Sequence, residues 1–469
     1  MQQEHDFLRQ MQLPLVICKP DLGNGRRQYR ARCQTKSRRW LLWEPPSPLP
    51  RNSYYPAGLR LAVLLVGGAA TLLGGCASRP IPRLWTVESA TPSASSKALD
   101  APRLIVKVHS EYIYPIPAPL VELELPGAAG QANSSIVAQR IASVSTDHMW
   151  QGRLAGDSYS NVTFAQVGEA VVGLITTSSG PMYRLRSYDG AFPIVERLDP
   201  RSPGTLDMEL ETSIRAGCSE ARVEKAKIPR CASQNELQEE VRVLVVYTPA
   251  AQSWAGGTEE MLAWIAAAEQ RTNQSFVQSG VRHRIKVVRR ELVPYHESNF
   301  GTEHDLRAMN EVENELNKEV GRLRNANSAD IAILLVSNGH SPGHACSLTS
   351  NDLDSLSAAE AAFGVVAIQF LARDDTFAHE LGHILGAGHP DDRDGGATGF
   401  GRGYSAPADD KCRPWKTIMD RMGSGEPAPI LYWSNPETEG CAKKPMGIPN
   451  FADNARTLNR TACTVASYR

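Results

Sequence analysis

Residues 379–389 of this 469-residue chain read H-E-L-G-H-I-L-G-A-G-H, and that spacing dictates a local geometry. On a helix, His379 and His383 stand four positions apart and project from one face, able to grip a single ion. Glu380 sits beside them, where a carboxylate can take a proton from a metal-bound water. Gly386 permits a sharp turn at the helix end, because glycine tolerates positive φ, and the turn returns His389 as a third ligand. Three protein ligands leave one tetrahedral position open, the arrangement of catalytic rather than structural zinc. The expectation is one catalytic Zn2+ on His379, His383 and His389, with Glu380 as catalytic base. A bare H-E-x-x-H also occurs in buried helices whose histidines are satisfied by hydrogen bonds. The added glycine and third histidine separate the two cases. So does the setting: Asp375 or Thr376 as cap, and Phe377, Leu381, Ile384 and Leu385 as an apolar face.

The stretch resembles the zinc-binding signature of the metzincin metallopeptidases. Thr417-Ile418-Met419-Asp420, about thirty residues downstream, resembles their Met-turn. By that resemblance Met419 is structural, a thioether floor under the histidines. Residues 430–436 (ILYWSNP) and 453–459 (DNARTLN) are similar to bacterial reprolysin-like enzymes, including the peptidyl-Asp metalloendopeptidases. The chain departs from neighbouring patterns at two places. Pro390 stands where reprolysins carry Asp, and Arg421 where astacins and serralysins carry Tyr. The glycine-rich calcium repeats of serralysins are absent. The resemblance covers 241–469 and implies an α/β (α+β) metzincin-like catalytic domain with a mixed sheet and a zinc helix. It implies a zinc metalloendopeptidase acting on protein or peptide substrates. Two other readings stand beside it: a non-catalytic zinc-containing envelope lipoprotein, which gives Glu380 no role, and a hydrolase of non-peptide substrates, which the Met-turn argues against.

Fifty Lys and Arg against 51 Asp and Glu give a net charge of −1, so nothing points to nucleic acid. The length exceeds one ordinary core and suggests two domains with extra segments. Residues 51–76 read as a lipoprotein-type signal peptide: Arg51 and Arg60, an apolar run over 61–75, then Cys76. Leu73-Gly74-Gly75-Cys76 resembles a lipobox, which makes Cys76 the candidate lipidation site and membrane anchor. Fifteen residues with four glycines are short for a spanning helix. Residues 1–50 before this signal suggest an over-called start or a disordered extension. The expectation is export from a bacterial cytoplasm, to the periplasm or outer membrane or, after processing, outside the cell.

Residues 77–101 read as a Ser/Ala/Pro-rich tether. Residues 102–200 show short alternating strands and resemble the β-rich propeptide of reprolysin-type zymogens; the plainer alternative is a spacer domain. Residues 201–240 are a polar linker with an expected processing site. Within it, Pro229-Arg230-Cys231 opens like the cysteine switch of matrix metalloproteinases, so Cys231 is a candidate latch on zinc, unless Cys218 pairs with it. In the catalytic half, strands are expected at 241–248, 283–292, 329–336 and 364–370, and helices at 258–279 and 303–324.

Four cysteines of that half are disulfide candidates in an oxidising compartment, with three pairings open; resemblance to reprolysins implies Cys346–Cys463 and Cys412–Cys441. His340 and His344 are expected in a solvated loop, outside the metal set. Asp391, Asp392 and Asp394 lack a full calcium ligand set, so Ca2+ is not expected. A preference for Asp substrates would need a cation, for which Arg402, Arg413 and Arg421 are candidates by neighbourhood. The expected form is a monomer.

Overall fold

The computed structural model describes residues 18–20, 31–33, 80–91 and 102–469, without 116, 129, 142–147, 179, 188–191, 199–239, 338–340, 350–355 and 421–428. The signal segment with Cys76, the linker with Cys218 and Cys231, His340 and Arg421 therefore lie outside the described residues. The chain divides into Met1–Ala77 and Ser78–Arg469. In the first unit, β1 (Cys18–Pro20) pairs antiparallel with β2 (Ala31–Cys33). Among the described residues, no helix is long and apolar enough to cross a membrane.

The second unit begins with nine strands: β3 (Trp85–Thr91), β4 (Arg103–Val108), β5 (Leu120–Leu125), β6 (Ser134–Arg140), β7 (Met149–Leu154), β8 (Asn161–Val167), β9 (Ala170–Thr176), β10 (Met182–Arg186) and β11 (Ile194–Leu198). They form one antiparallel sheet in the order β3-β4-β11-β10-β9-β8-β7-β6-β5. Its two ends meet. Leu84 N donates to Glu122 O at 3.0 Å, Glu122 N to Pro82 O at 2.8 Å, and Trp85 Nε1 to Glu124 O at 2.9 Å. The sheet thus curls around its own core of Leu84, Trp85, Trp150, Phe164 and their neighbours, with Trp85 edge-on to Phe164. Closure of this kind removes an exposed edge. The sheet starts earlier than the sequence suggests. β3 falls in the segment read as a tether, because Leu84 and Trp85 are core residues and the Ser/Ala-rich run begins only after them.

A five-stranded sheet organises the catalytic half: β12 (Glu240–Tyr247), β13 (Arg284–Leu292), β14 (Ile331–Val336), β15 (Gly343–Ala345) and β16 (Phe363–Ala367), in the order β13-β12-β14-β16-β15. All neighbours are parallel except the edge strand β15. Strands buried on both faces need apolar side chains in both directions. Val241, Val243, Val245 and Tyr247 enter one core, and Leu244 and Val246 the other. The first face carries α2 (Thr258–Gln278), α7 (Thr376–Ile384) and α8 (Asn454–Val465); the second carries α3 (Thr302–Asn310) and α4 (Glu315–Ala326). Three short helices, α1 (Pro249–Ala255), α5 (Leu356–Glu360) and α6 (Ile368–Leu371), complete the set.

Two expectations are corrected here. The single helix expected over 303–324 is two helices. Glu311 is extended, and Asn314 caps α4 by accepting from Leu316 N at 3.0 Å, an alternative to continuing the helix that Asn side chains favour. The strand expected over 364–370 ends at Ala367 and turns into α6. Cys412–Cys441 is bridged, with Cα atoms 5.9 Å apart. Cys346 and Cys463 are each disulfide-bonded as well.

Phe164 is fully buried and touches both Trp85 and Trp150. Its replacement by Ala should destabilise the N-terminal sheet by about 3–5 kcal/mol, the usual loss for a buried ring; denaturant unfolding of the full chain measures it.

Candidate active site

Every residue of α7 is buried. Its start differs from the sequence expectation. Asp375 holds the cap position without a side-chain cap bond; Asp374 supplies it, Oδ1 accepting from Thr376 N at 2.9 Å and from Thr376 Oγ1. Asp375 turns instead to Arg271 on α2, with Nη2 at 2.7 Å and Nε donating at 2.8 Å. Both groups are nearly enclosed, and a buried pair of this kind is costly to break.

The helix ends as expected. Gly386 has φ +87°, and Ala387 N returns to Gly382 O at 2.8 Å. The chain then folds back, held by Gly388 N to Gly401 O at 2.7 Å and Gly403 N to Gly388 O at 2.8 Å. This places His389 Nε2 at 3.0 Å from His379 Nε2 and 3.2 Å from His383 Nε2, and the ligating atoms of the triad all lie within 4.8 Å of one another. His379 Nδ1 is 2.8 Å from Ile418 O. A carbonyl can only accept, so Nδ1 carries the proton and Nε2 presents its lone pair to the other rings. Three imidazole nitrogens converging from a buried wall, one with its tautomer set by a backbone carbonyl, are a donor set that fits zinc.

Met419 is fully buried beneath α7. A Cβ built on Gly382 would lie 2.6 Å from Met419 Sδ and 2.7 Å from the Trp433 ring, so only glycine lets the helix settle on this floor. Trp433 is fixed by Nε1 donating to Ser275 Oγ at 2.8 Å. Glu380, 2 % exposed, lies against the edge strand: a Cβ on Gly343 would come within 2.7 Å of Glu380 Oε1. Sequence reasoning missed Gly343, Gly382, Asp374 and Arg271, because each acts through partners distant in the chain.

His344 is not solvated. It is buried on β15, with Nδ1 2.6 Å from Thr302 Oγ1, and stands outside the metal cluster. Arg402 is committed to loop carbonyls, donating to Asp392 O and Arg393 O at 2.8 Å and to Gly399 O at 2.9 Å. Arg413 is exposed. A cation that sequence reasoning passed over, Lys416, is buried three residues ahead of Met419, with Asp420 Oδ1 4.0 Å from its Nζ.

A histidine triad on and just beyond one helix, with a carboxylate between and a methionine beneath, is the site of a metal-dependent peptidase. The family model described as metallo-peptidase family M12, of reprolysin type, matches residues 237–434. A peptidyl-Asp metalloendopeptidase of Stenotrophomonas maltophilia (strain R551-3) is 30% identical over 318 residues, covering 67% of this chain and 72% of that protein. One from Xanthomonas campestris pv. campestris is 28% identical over 431 residues, covering 87% and 97%. One from S. maltophilia (strain K279a) is 30% identical over 317 residues, covering 67% and 72%. The chain belongs to the reprolysin-like M12 metallopeptidases and is a zinc metalloendopeptidase. Metalloproteinase-II from Bacteroides fragilis aligns with a TM-score of 0.27 at 12% identity, over 60% of this chain and 85% of that one, too low to carry an argument.

Burial pushes the Asp374 carboxyl up to about 6, against the hydrogen bonds from Thr376 that pull it down. Its folded value lies above the unfolded 3.8. Its contribution to stability is therefore full below pH 3.8 and is lost as the pH rises through about 6. Asp374→Asn keeps the accepting oxygen and removes the buried charge. At pH 7.5 the variant should unfold at a higher temperature than wild type, by at most about 3 kcal/mol at roughly 1.4 kcal/mol per pKa unit. Below pH 4 the difference should vanish; thermal melts across pH check it.

Proposed function

We propose that the protein is an exported proenzyme whose metzincin-like domain cleaves peptide bonds at a single zinc held by His379, His383 and His389. The carrying observation is the convergence of three Nε2 atoms beside the buried Glu380. Zinc there supplies Lewis-acid activation of a water and of the scissile carbonyl. Glu380 accepts the proton of the attacking water and delivers it to the leaving amine, the work of a carboxylate whose place is set by α7 and by the close approach of Gly343. Among the described residues β15 pairs with a strand on one side only, and on its other side we place an extended substrate, as in β-augmentation. Met419 and Trp433 act beneath the helix and take no part in proton transfer.

The relatives' names support a preference for Asp-containing peptides. Lys416, buried and close to Met419 in sequence, is the residue on which we place recognition of the acidic side chain; Asp420 Oδ1 lies 4.0 Å from its Nζ. The export signal over 51–76 and lipidation at Cys76 rest on sequence alone. The proenzyme reading rests on the resemblance of the N-terminal strands to a propeptide and on the linker that follows them.

Glu380→Gln should keep one zinc per chain by metal analysis and lose about 10²–10⁴-fold in peptide hydrolysis, the range of a general base. Retained activity would sink the assignment. Lys416→Met should erase the discrimination between matched Asp and Asn peptides while hydrolysis of the Asn peptide continues. An unchanged ratio would remove Lys416 from the recognition site.

A further inference from the structure

The N-terminal sheet meets the catalytic half largely through α2. This helix is buried at every position from Ala267 to Phe276, which a helix covered on one side only cannot be. Glu269 and Asn273 face β13: Glu269 Oε1 accepts from Val287 N at 3.1 Å, and Asn273 brackets Ile285 through both its amide atoms. Gln270 and Arg271 face the N-terminal sheet. Gln270 Nε2 donates to Gln151 Oε1 at 2.9 Å, and Arg271 Nη1 to Asn161 Oδ1 at 2.5 Å. Met149, Ala165 and Val172, alternating with residues that point into the sheet's own core, join the core of the catalytic half.

Two of the polar contacts continue to the metal centre. Arg271, which Asn161 holds from one side, holds Asp375 on the other, and α7 starts from Asp375, four residues before His379. Arg153 Nη2 donates to Tyr432 Oη at 3.3 Å. The Tyr432 carbonyl accepts from Ile418 N at 2.9 Å, and the Ile418 carbonyl fixes the His379 ring. The chains Asn161–Arg271–Asp375 and Arg153–Tyr432–Ile418 thus end on the two elements that orient His379, one at the start of its helix and one behind its ring.

We propose that the N-terminal sheet is a positioning partner of the metal centre, so that its docking on α2 and zinc binding by the triad favour one another. This goes beyond the proenzyme reading, in which the sheet only restrains the enzyme, and rests on the histidine triad being the zinc site. With the sheet docked, water is kept from the Arg271 guanidinium, whose hydrogen bonds in a dry site are stronger than in a wet one. With the sheet gone, Asn161 is replaced by water, and the grip on Asp375 and on Ile418 loosens. Arg271 and Asn161 are positioning residues: they act through α7 and touch no reacting atom.

The test uses the full chain with a protease site introduced between 199 and 239, so that both halves fold together before the cut. Zinc affinity is measured by chelator competition before cutting and after the sheet has been diluted away. The dissociation constant of the two halves is measured with and without zinc. The expected outcome is a loss of zinc affinity of about 5-fold or more on release of the sheet, and tightening of the two halves by zinc by the same factor, since coupling between sites is reciprocal. In the uncut chain, Asn161→Ala and Arg153→Met should each weaken zinc binding, and Arg271→Lys should weaken it less than Arg271→Ala. Equal zinc affinity with and without the sheet overturns the proposal. If the halves stay together after cutting, unchanged zinc affinity in both uncut Asn161→Ala and Arg153→Met overturns it instead. A chain with His379→Ala that binds zinc as wild type does would refute the zinc-site reading and not the coupling.

Discussion

The hydrogen bond from His379 Nδ1 to the carbonyl of Ile418 is the contact on which the rest of the site depends. It joins α7 to the segment carrying Met419 across 39 residues of sequence and sets the tautomer that leaves the Nε2 lone pair facing the other two rings. Around it the packing is tight. Gly382 lets the helix lie on Met419 and Trp433, and Trp433 is pinned to α2 through Ser275.

The catalytic half is built to keep that contact fixed. A parallel sheet buried on both faces forms its middle, with α2 and α7 on one side and α3 and α4 on the other. Only β15 runs against its neighbour, and it ends the sheet beside Glu380. The loop-rich segment after Gly386 has little regular structure of its own. It is held by carbonyls: Arg402 gathers those of Asp392, Arg393 and Gly399, and the Cys412–Cys441 bridge closes a later loop. A basic residue that reads as a candidate for substrate recognition is, in the fold, a clasp.

What could be read in the chain beforehand follows a physical division. The triad, Glu380 and Gly386 were legible because helical periodicity and the glycine turn set their geometry over a few residues, whereas Met419 was legible only through the resemblance of its segment to a Met-turn. The strands around 241–248 and 329–336 were legible from continuous apolar runs, and the one around 283–292 from alternation. The break at Glu311 was not, because helix periodicity on either side is good and only the side chain of Asn314 decides in favour of a new start. His344 looked like a solvated loop residue beside Gly343, just after a strand. Its burial depends on Thr302, 42 residues away.

The sequence by itself determined the three histidines, their order and the turn that brings His389 back, since these follow from backbone geometry within eleven residues. The tertiary structure decided how those residues are held. Asp375 gives up its role as cap to pair with Arg271, 104 residues earlier, and Asn161 of the N-terminal sheet joins that pair. Such choices rest on desolvation and on which buried polar groups find partners. Those quantities exist only once distant segments have packed together.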